Sequence, residues 1–295
     1  MEFRLRVFVQ VAQNLSFSKA SKSLHLSQPA VSKHIREIEN KYAVKLFDRQ
    51  GNSIALTPAG EDLLAYAHKI LAMYDGLEDH FLSLQKKLPK ELKLGASTTI
   101  AQYIFPKSLA EIKQRFPDTS FTLINDNSAT IEKKIENNAL SFALIEGSNH
   151  NPLLQYEKFL DDELVLVSNT KNKQSSVILE DLPKLPLVLR EEGSGTRNIL
   201  ENHLQKIGID KKSLQTEMVL GSTESIKTYL YYGNSYAFVS IFSVLEELKA
   251  NKLQIIDIDD FEIKRPLYFV SKQGYQSSFL NLLKKFFQKD YNQKL

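Results

Sequence analysis

Apolar residues near the N-terminus recur at helical spacing. Leu5, Phe8, Val9 and Ala12 fall at i, i+3, i+4 and i+7, one face of an amphipathic helix. After a break at Asn14-Leu15-Ser16, a short second helix is predicted to bury Phe17, Ala20 and Leu24, and His25-Leu26-Ser27 then makes a tight turn. Ser27 is a good N-cap, and Pro29 suits a first helical turn, where its missing N–H costs nothing. The third helix is predicted to run to about Lys41 and to bury Val31, Ile35, Ile38 and Tyr42. At 100° per residue its opposite face then carries Pro29, Lys33, Arg36 and Asn40, flanked by Ser32, with Gln28 free at the N-terminus. Two short strands at 44–49 and 53–56, joined through Gln50-Gly51-Asn52, read as a wing.

A different period governs the next thirty or so residues. Thr57-Pro58 is an N-cap followed by proline, so a new helix starts there. Its apolar positions, Leu63, Ala67, Ile70, Tyr74, Leu77, Phe81, Leu84 and Leu88, alternate gaps of four and three. That 3.5-residue repeat predicts a coiled-coil seam covered by a second chain, making a homodimer or homotetramer. Packing against its own C-terminal region is the alternative.

From residue 90 onward strands and helices alternate. Strands are predicted at 91–96, 121–125, 142–146, 164–168, 187–190, 216–220, 237–240 and 267–271. Helices are predicted at 100–115, 130–138, 196–206, 224–232, 244–250 and 277–291. Such βα alternation argues for parallel sheets with helices on both faces. Over some 200 residues it suggests two lobes, the chain crossing near 160–163 and returning near 264–266.

Charge sharpens the division. Residues 1–58 hold nine Lys/Arg against four Asp/Glu, whereas the remainder holds 29 against 31. A basic head on a slightly acidic body suggests that the head binds a polyanion. The N-terminal turn of the third helix offers amide and hydroxyl groups to base edges in a major groove, and Lys33 and Arg36 reach guanine or phosphate. Lys45 and Arg49 of the wing are placed to grip backbone or minor groove. Double-stranded promoter DNA is the expected partner.

Other functions find no support. With no cysteine in 295 residues, disulfides, thiol nucleophiles and thiolate metal sites are excluded. The charged N-terminus does not read as a signal peptide, and no run of about 18 apolar residues occurs, so a cytoplasmic protein is expected. There is no P-loop, HExxH, G-x-S-x-G or dinucleotide fingerprint, and the six histidines lack metal-ligand spacing. No enzyme, cofactor or metal is expected. The acidic runs at 161–163 and 257–260 read as solvated strand ends. The competing reading is a solute-binding protein whose N-terminal module contacts protein.

Several motifs stand in a specific order: Ser16-Phe17-Ser18-Lys19-Ala20, Leu24-His25-Leu26-Ser27-Gln28-Pro29-Ala30-Val31-Ser32-Lys33-His34-Ile35, Leu46-Phe47-Asp48-Arg49 and Leu56-Thr57-Pro58-Ala59-Gly60. By these the chain resembles the LysR-type transcriptional regulators. The resemblance implies a winged helix-turn-helix, a long coiled-coil linker helix that dimerises, and a two-lobed α/β effector domain like periplasmic solute-binding proteins, with the effector in the cleft. Positions matching the family's DNA contacts are Ser27, Gln28, Pro29, Ser32, Lys33 and Arg49. Many members carry Arg-Gln where this chain has Lys33-His34, and lysine cannot reproduce an arginine fork. The expected divisions are 1–58 for the DNA-binding head, 59–88 for the linker, 90–160 with 267–295 for the first lobe, and 161–266 for the second.

In such lobes ligands bind at strand carboxyl ends beside helix N-termini, where free N–H groups attract anions. Three segments qualify: Gly95-Ala96-Ser97-Thr98-Thr99, Arg190 through Arg197, and Gly221-Ser222-Thr223-Glu224. The candidate effector residues are Ser97, Thr98, Thr99, Arg190, Thr196 and Ser222, with plain helix capping as the bland alternative. The stretch 190–197 looks like that of LysR-type regulators of carbon-fixation and sulfur-assimilation genes, which points to a small anionic effector. Glu191 and Glu192 are expected to face solvent, since turned inward they would repel it.

Overall fold

A computed structural model describes residues 1–50, 53–84, 88–147, 151–275 and 277–291. The chain divides into two compact units, Met1–Lys87 with Pro152–Gln155 and Lys272–Leu280, and Leu88–Asn151 with Tyr156–Ser271 and Asn281–Leu295.

In the first unit, α1 (Glu2–Asn14), α2 (Phe17–Ser23) and α3 (Gln28–Tyr42) precede a hairpin of β1 (Phe47–Gln50) and β2 (Ser53–Leu56), and α4 (Pro58–Leu84) follows. Local chemistry sets each boundary. Ser16 Oγ accepts from Lys19 N to start α2, and Ser27 Oγ accepts from Ala30 N to start α3. Thr57 Oγ1 accepts from Gly60 N at the head of α4, satisfying a donor the helix cannot. Leu5, Phe8, Phe17, Ala20, Val31, Ile35, Ile38 and Phe47 form one core. Tyr42 departs from expectation: it is half exposed, because Ala43 turns left-handed (φ 54°) and ends the helix before that turn can close on the core.

The linker repeat also divides differently. Ala67 and Leu71 belong to the head's own core, with Leu63 and Leu64 packed against it. The free seam therefore begins later, at Ile70, Tyr74, Leu77 and Phe81, all exposed, flanked by Tyr66 and Met73. Residues 85–87 and the side chain of Leu84 lie outside what is described.

The second unit begins with β3 (Glu91–Ser97), α5 (Phe105–Arg115), β4 (Ser120–Asp126), α6 (Ser128–Glu136) and β5 (Phe142–Glu146). The long β6 (Leu154–Asn169) then leads through β7 (Ser176–Val177) to β8 (Leu187–Arg190), α7 (Gly195–Lys206), β9 (Thr216–Leu220), α8 (Thr223–Tyr232), β10 (Ala237–Ser240) and α9 (Ile241–Lys249). Strands β11 (Leu253–Ile255), β12 (Asp257–Ile258) and β13 (Ile263–Lys272) and helix α10 (Ser278–Tyr291) close the chain.

Helix and strand types follow the sequence pattern, and two departures have clear causes. The helix expected at 100–115 opens as a π-turn over Ile100–Ile104 before α5. Pro106 lacks an N–H, and its ring would clash with the carbonyl four residues back in a regular helix, so the wider turn relieves both. The sheet is also mixed rather than parallel, in the order β10-β6-β13-β5-β3-β4 with β11 beside β6. β3 pairs parallel with β4 and β5, but β13 runs antiparallel to β5, and β6 antiparallel to β10 and β11. β6 and β13 are long because each carries the chain between lobes without a helical crossover, so the return direction is reversed. β8 and β9 form a separate parallel pair, tied to the start of β10 where Val188 N donates to Tyr236 O (2.8 Å).

Candidate functional site

Two surfaces collect the predicted residues. On the head, Ser27, Gln28, Pro29, Lys33 and Arg36 are exposed along the N-terminal turns and outer face of α3, and Ser32 is half buried. Gln28 is held: Ser18 Oγ of α2 donates to its Oε1 (3.1 Å), which leaves the amide NH2 outward for an acceptor on a base edge. Ser27 spends its hydroxyl on the helix cap. Neither Lys33 nor Arg36 has an acidic partner among the described residues, so both charges are available to phosphate or guanine. Glu39 braces the wing instead, its Oε1 accepting from Leu46 N (2.9 Å). Arg49 pairs with Ile54 in the hairpin register; its side chain, like residues 51–52 of the wing tip, lies outside what is described.

The second surface lies where β3, β5, β8 and the crossing strands converge. Ser97, Thr98, Thr99, Arg190 and Thr196 all come together there and are all buried. Ser97 Oγ donates to the Glu146 carboxylate, and Thr99 Oγ1 donates to its other oxygen (3.5 Å). Arg190 reaches across: Nη2 donates to Thr98 Oγ1 (3.3 Å) and Nη1 to Thr223 Oγ1 (3.2 Å). Thr196 accepts from Arg265 Nη1 (2.8 Å), and Arg265 pairs with Asp162 (2.7 Å). Ser222 stands apart, because its hydroxyl caps α8 through Ser225 N (3.1 Å). At the start of α7 Ser194 is 1% exposed, and its hydroxyl has no hydrogen-bond partner among the described residues.

Two expectations are corrected here. Asp162, read as a solvated strand end, is fully buried against Arg265. Glu191, expected in solvent, turns in, its Oε2 accepting from Arg190 Nε (2.8 Å) and its Oε1 from Arg190 Nη2 (2.9 Å). The loop after it needs its glycines. Gly193 has φ +84°, and a Cβ on Gly195 would meet Glu146 O at 2.4 Å.

Comparison with known proteins supplies the deciding observation. Residues 3–61 match the family model "Bacterial regulatory helix-turn-helix protein, lysR family", and residues 85–291 match "LysR substrate binding domain". The chain belongs to the LysR-type transcriptional regulators.

This LysR-type regulator is 35% identical over 274 residues to a "Probable RuBisCO transcriptional regulator" of Cyanidium caldarium, covering 91% of this chain and 86% of that one. Full-length OxyR from Pseudomonas aeruginosa shares its fold, with TM-score 0.67 at 20% identity over 98% of this chain and 94% of that one. The regulatory domain of CcmR from Synechocystis PCC6803, solved in complex with 2-PG, matches with TM-score 0.60 at 28% identity, covering 66% of this chain and 96% of that one. LysR-type regulators are not enzymes. Among the described residues no group of His, Asp and Glu has the arrangement of a metal site, and no helix is long and apolar enough to cross a membrane.

Four further residues join this buried cluster that the sequence did not single out as ligands or partners: Glu146, Asp162, Thr223 and Arg265. A usable signal existed for two of them. Asp162 is in phase with Leu160, Leu164 and Leu166, and Arg265 with Ile263, Leu267 and Phe269, so period-two alternation already turned both toward the core.

Proposed function

We propose that this regulator binds promoter DNA in the cytoplasm as a dimer or tetramer through α4, and that a small anion in the inter-lobe cleft sets its output. Gln28, Pro29, Ser32 and Lys33 read bases, while Arg36 and Arg49 hold backbone. The anionic effector rests chiefly on one observation. Arg190 is a buried cation gripped by hydroxyls of both lobes, Thr98 and Thr223, and by the Gly221 carbonyl, and the carboxylate on it is that of Glu191. Ser194, with a buried hydroxyl lacking a partner at the N-terminus of α7, adds a donor of the right kind. The 2-PG of the CcmR complex is the first compound to test.

For association, the seam Ile70, Tyr74, Leu77 and Phe81 supports a second copy along α4. Met218 and Val219 of β9 and Tyr232 of α8 are further apolar side chains exposed to solvent.

The test is a mobility-shift titration of promoter DNA against random DNA with and without 2-PG. Gln28→Ala or Ser32→Ala should lose about 1–3 kcal/mol of discrimination. Arg49→Ala should weaken both DNAs alike. Equal losses on both DNAs for every variant would remove the assignment of base-reading residues. Unaltered DNA binding across a panel of small anions would count against the effector.

A further inference from the structure

Glu191 occupies the Nε–Nη2 edge of Arg190, whose Nη2 also donates to Thr98 Oγ1 and the Gly221 carbonyl. We infer that Glu191 is a tethered competitor for the effector, an internal carboxylate that an incoming anion must displace. The inference rests on the anionic-effector reading above.

Geometry, exposure and charge agree. The Arg190–Glu191 contact is a two-point fork, 2.8 Å at Nε and 2.9 Å at Nη2, the arrangement by which arginine binds a free carboxylate or phosphate. The arginine side chain is 2% exposed but that of the glutamate is 27% exposed, so Glu191 has water to return to and Arg190 has none. Arg265 faces two carboxylates, Asp162 (2.7 Å) and Glu146 (3.9 Å), whereas the carboxylate paired with Arg190 is Glu191. An anion entering beside Glu191 meets an arginine whose charge is already matched, where solvation is poor. An anion exchanging with it leaves the charge unchanged.

The exchange also touches the other lobe. Asn127, which caps α6, donates from Nδ2 to Glu191 Oε1 (3.4 Å), while Ala129 N donates to Gly193 O (3.2 Å). Displacing Glu191 therefore removes a lobe-to-lobe hydrogen bond and leaves Thr98–Arg190 in place. Effector binding and lobe contact become two readings of one equilibrium, with Glu191 setting its midpoint.

The test is calorimetric titration of the full chain with 2-PG and, separately, inorganic phosphate. The proteins compared are wild type, Glu191→Gln, Glu191→Ala, Glu192→Gln and Arg190→Gln, each verified as folded by its thermal melt. A neighbouring carboxylate has an effective concentration in the millimolar range or above, so Glu191→Gln should tighten both probes by the same factor, about tenfold. A common factor is expected because the competitor removed is the same for both. Glu192→Gln removes the same charge one residue away, from an exposed side chain, and should change affinity less than about twofold. Arg190→Gln should abolish binding.

Wild type binding 2-PG, Arg190→Gln failing to, and Glu191→Gln binding no tighter would overturn this inference alone. Equal tightening by Glu192→Gln would replace it with a general field effect. Absence of binding by either probe to any of the five proteins would remove both the inference and the reading beneath it.

Discussion

Arg265 and Asp162 face each other from neighbouring strands, and neither side chain reaches water. Glu146, also buried, lies 3.9 Å from the same guanidinium, so removing Arg265 leaves two carboxylates without their counter-charge, which costs far more than the pair contributes. Arg265→Met should therefore destabilise the chain by about 3–5 kcal/mol in urea unfolding, whereas Asp162→Leu with Arg265→Met should recover only part of that loss, because Glu146 stays buried without Arg265. His68 is the second residue with a calculable consequence. Burial, and then the charge of Lys272, lower its pKa from 6.5 to about 4. Its Nδ1 lies 3.0 Å from Lys272 Nζ, so the neutral ring accepts from the ammonium. Between those two values the unfolded chain takes up a proton that the folded chain does not. Stability should thus be intact above pH 6.5 and fall by about 2 kcal/mol, after allowance for solvent screening, as pH drops toward 4. His68→Gln should flatten that part of the profile, and an unchanged slope would show the acid sensitivity to lie elsewhere.

Elements differed in how far the sequence disclosed them. The head was almost fully legible, because its helices announce themselves by local devices: Ser16, Ser27 and Thr57 cap within three residues, and the apolar spacing needs no distant partner. The linker repeat was legible as a repeat but not as a division of labour, since only packing reveals that Ala67 serves the head while Leu77 remains free. The buried cluster around Arg190 was half legible. Strand ends entering helices pointed to Thr98, Thr99 and Arg190. What those residues grip lies 92 residues away for Thr98–Arg190 and 103 for Asp162–Arg265, separations that local pattern cannot pair. For α4 the expected outcome is direct: Leu77→Asp with Phe81→Asp should give a monomer by light scattering, with its own head still folded. Persistence of the proposed dimer in that variant would move the interface away from the helix.

For the molecule as a whole, the proposed pairing of heads has a signature in salt. Each phosphate neutralised contributes about −0.9 to the slope of log K against log salt. Separating two heads with the Leu77 and Phe81 replacements should roughly halve the slope measured for the intact protein on promoter DNA. An unchanged slope would mean that one head makes all the contacts. The crossing strands carry a different consequence, concerned with the order in which the chain becomes structured. On the proposed division, the second lobe is one continuous stretch between Asp162 and Arg265, whereas the first is interrupted by it and lacks β13 and α10 until Tyr291 has been made. On the ribosome the later-encoded lobe should therefore finish first. The earlier one, with β5 waiting for β13 at an exposed edge, is the part that a slow or stalled synthesis leaves open to aggregation.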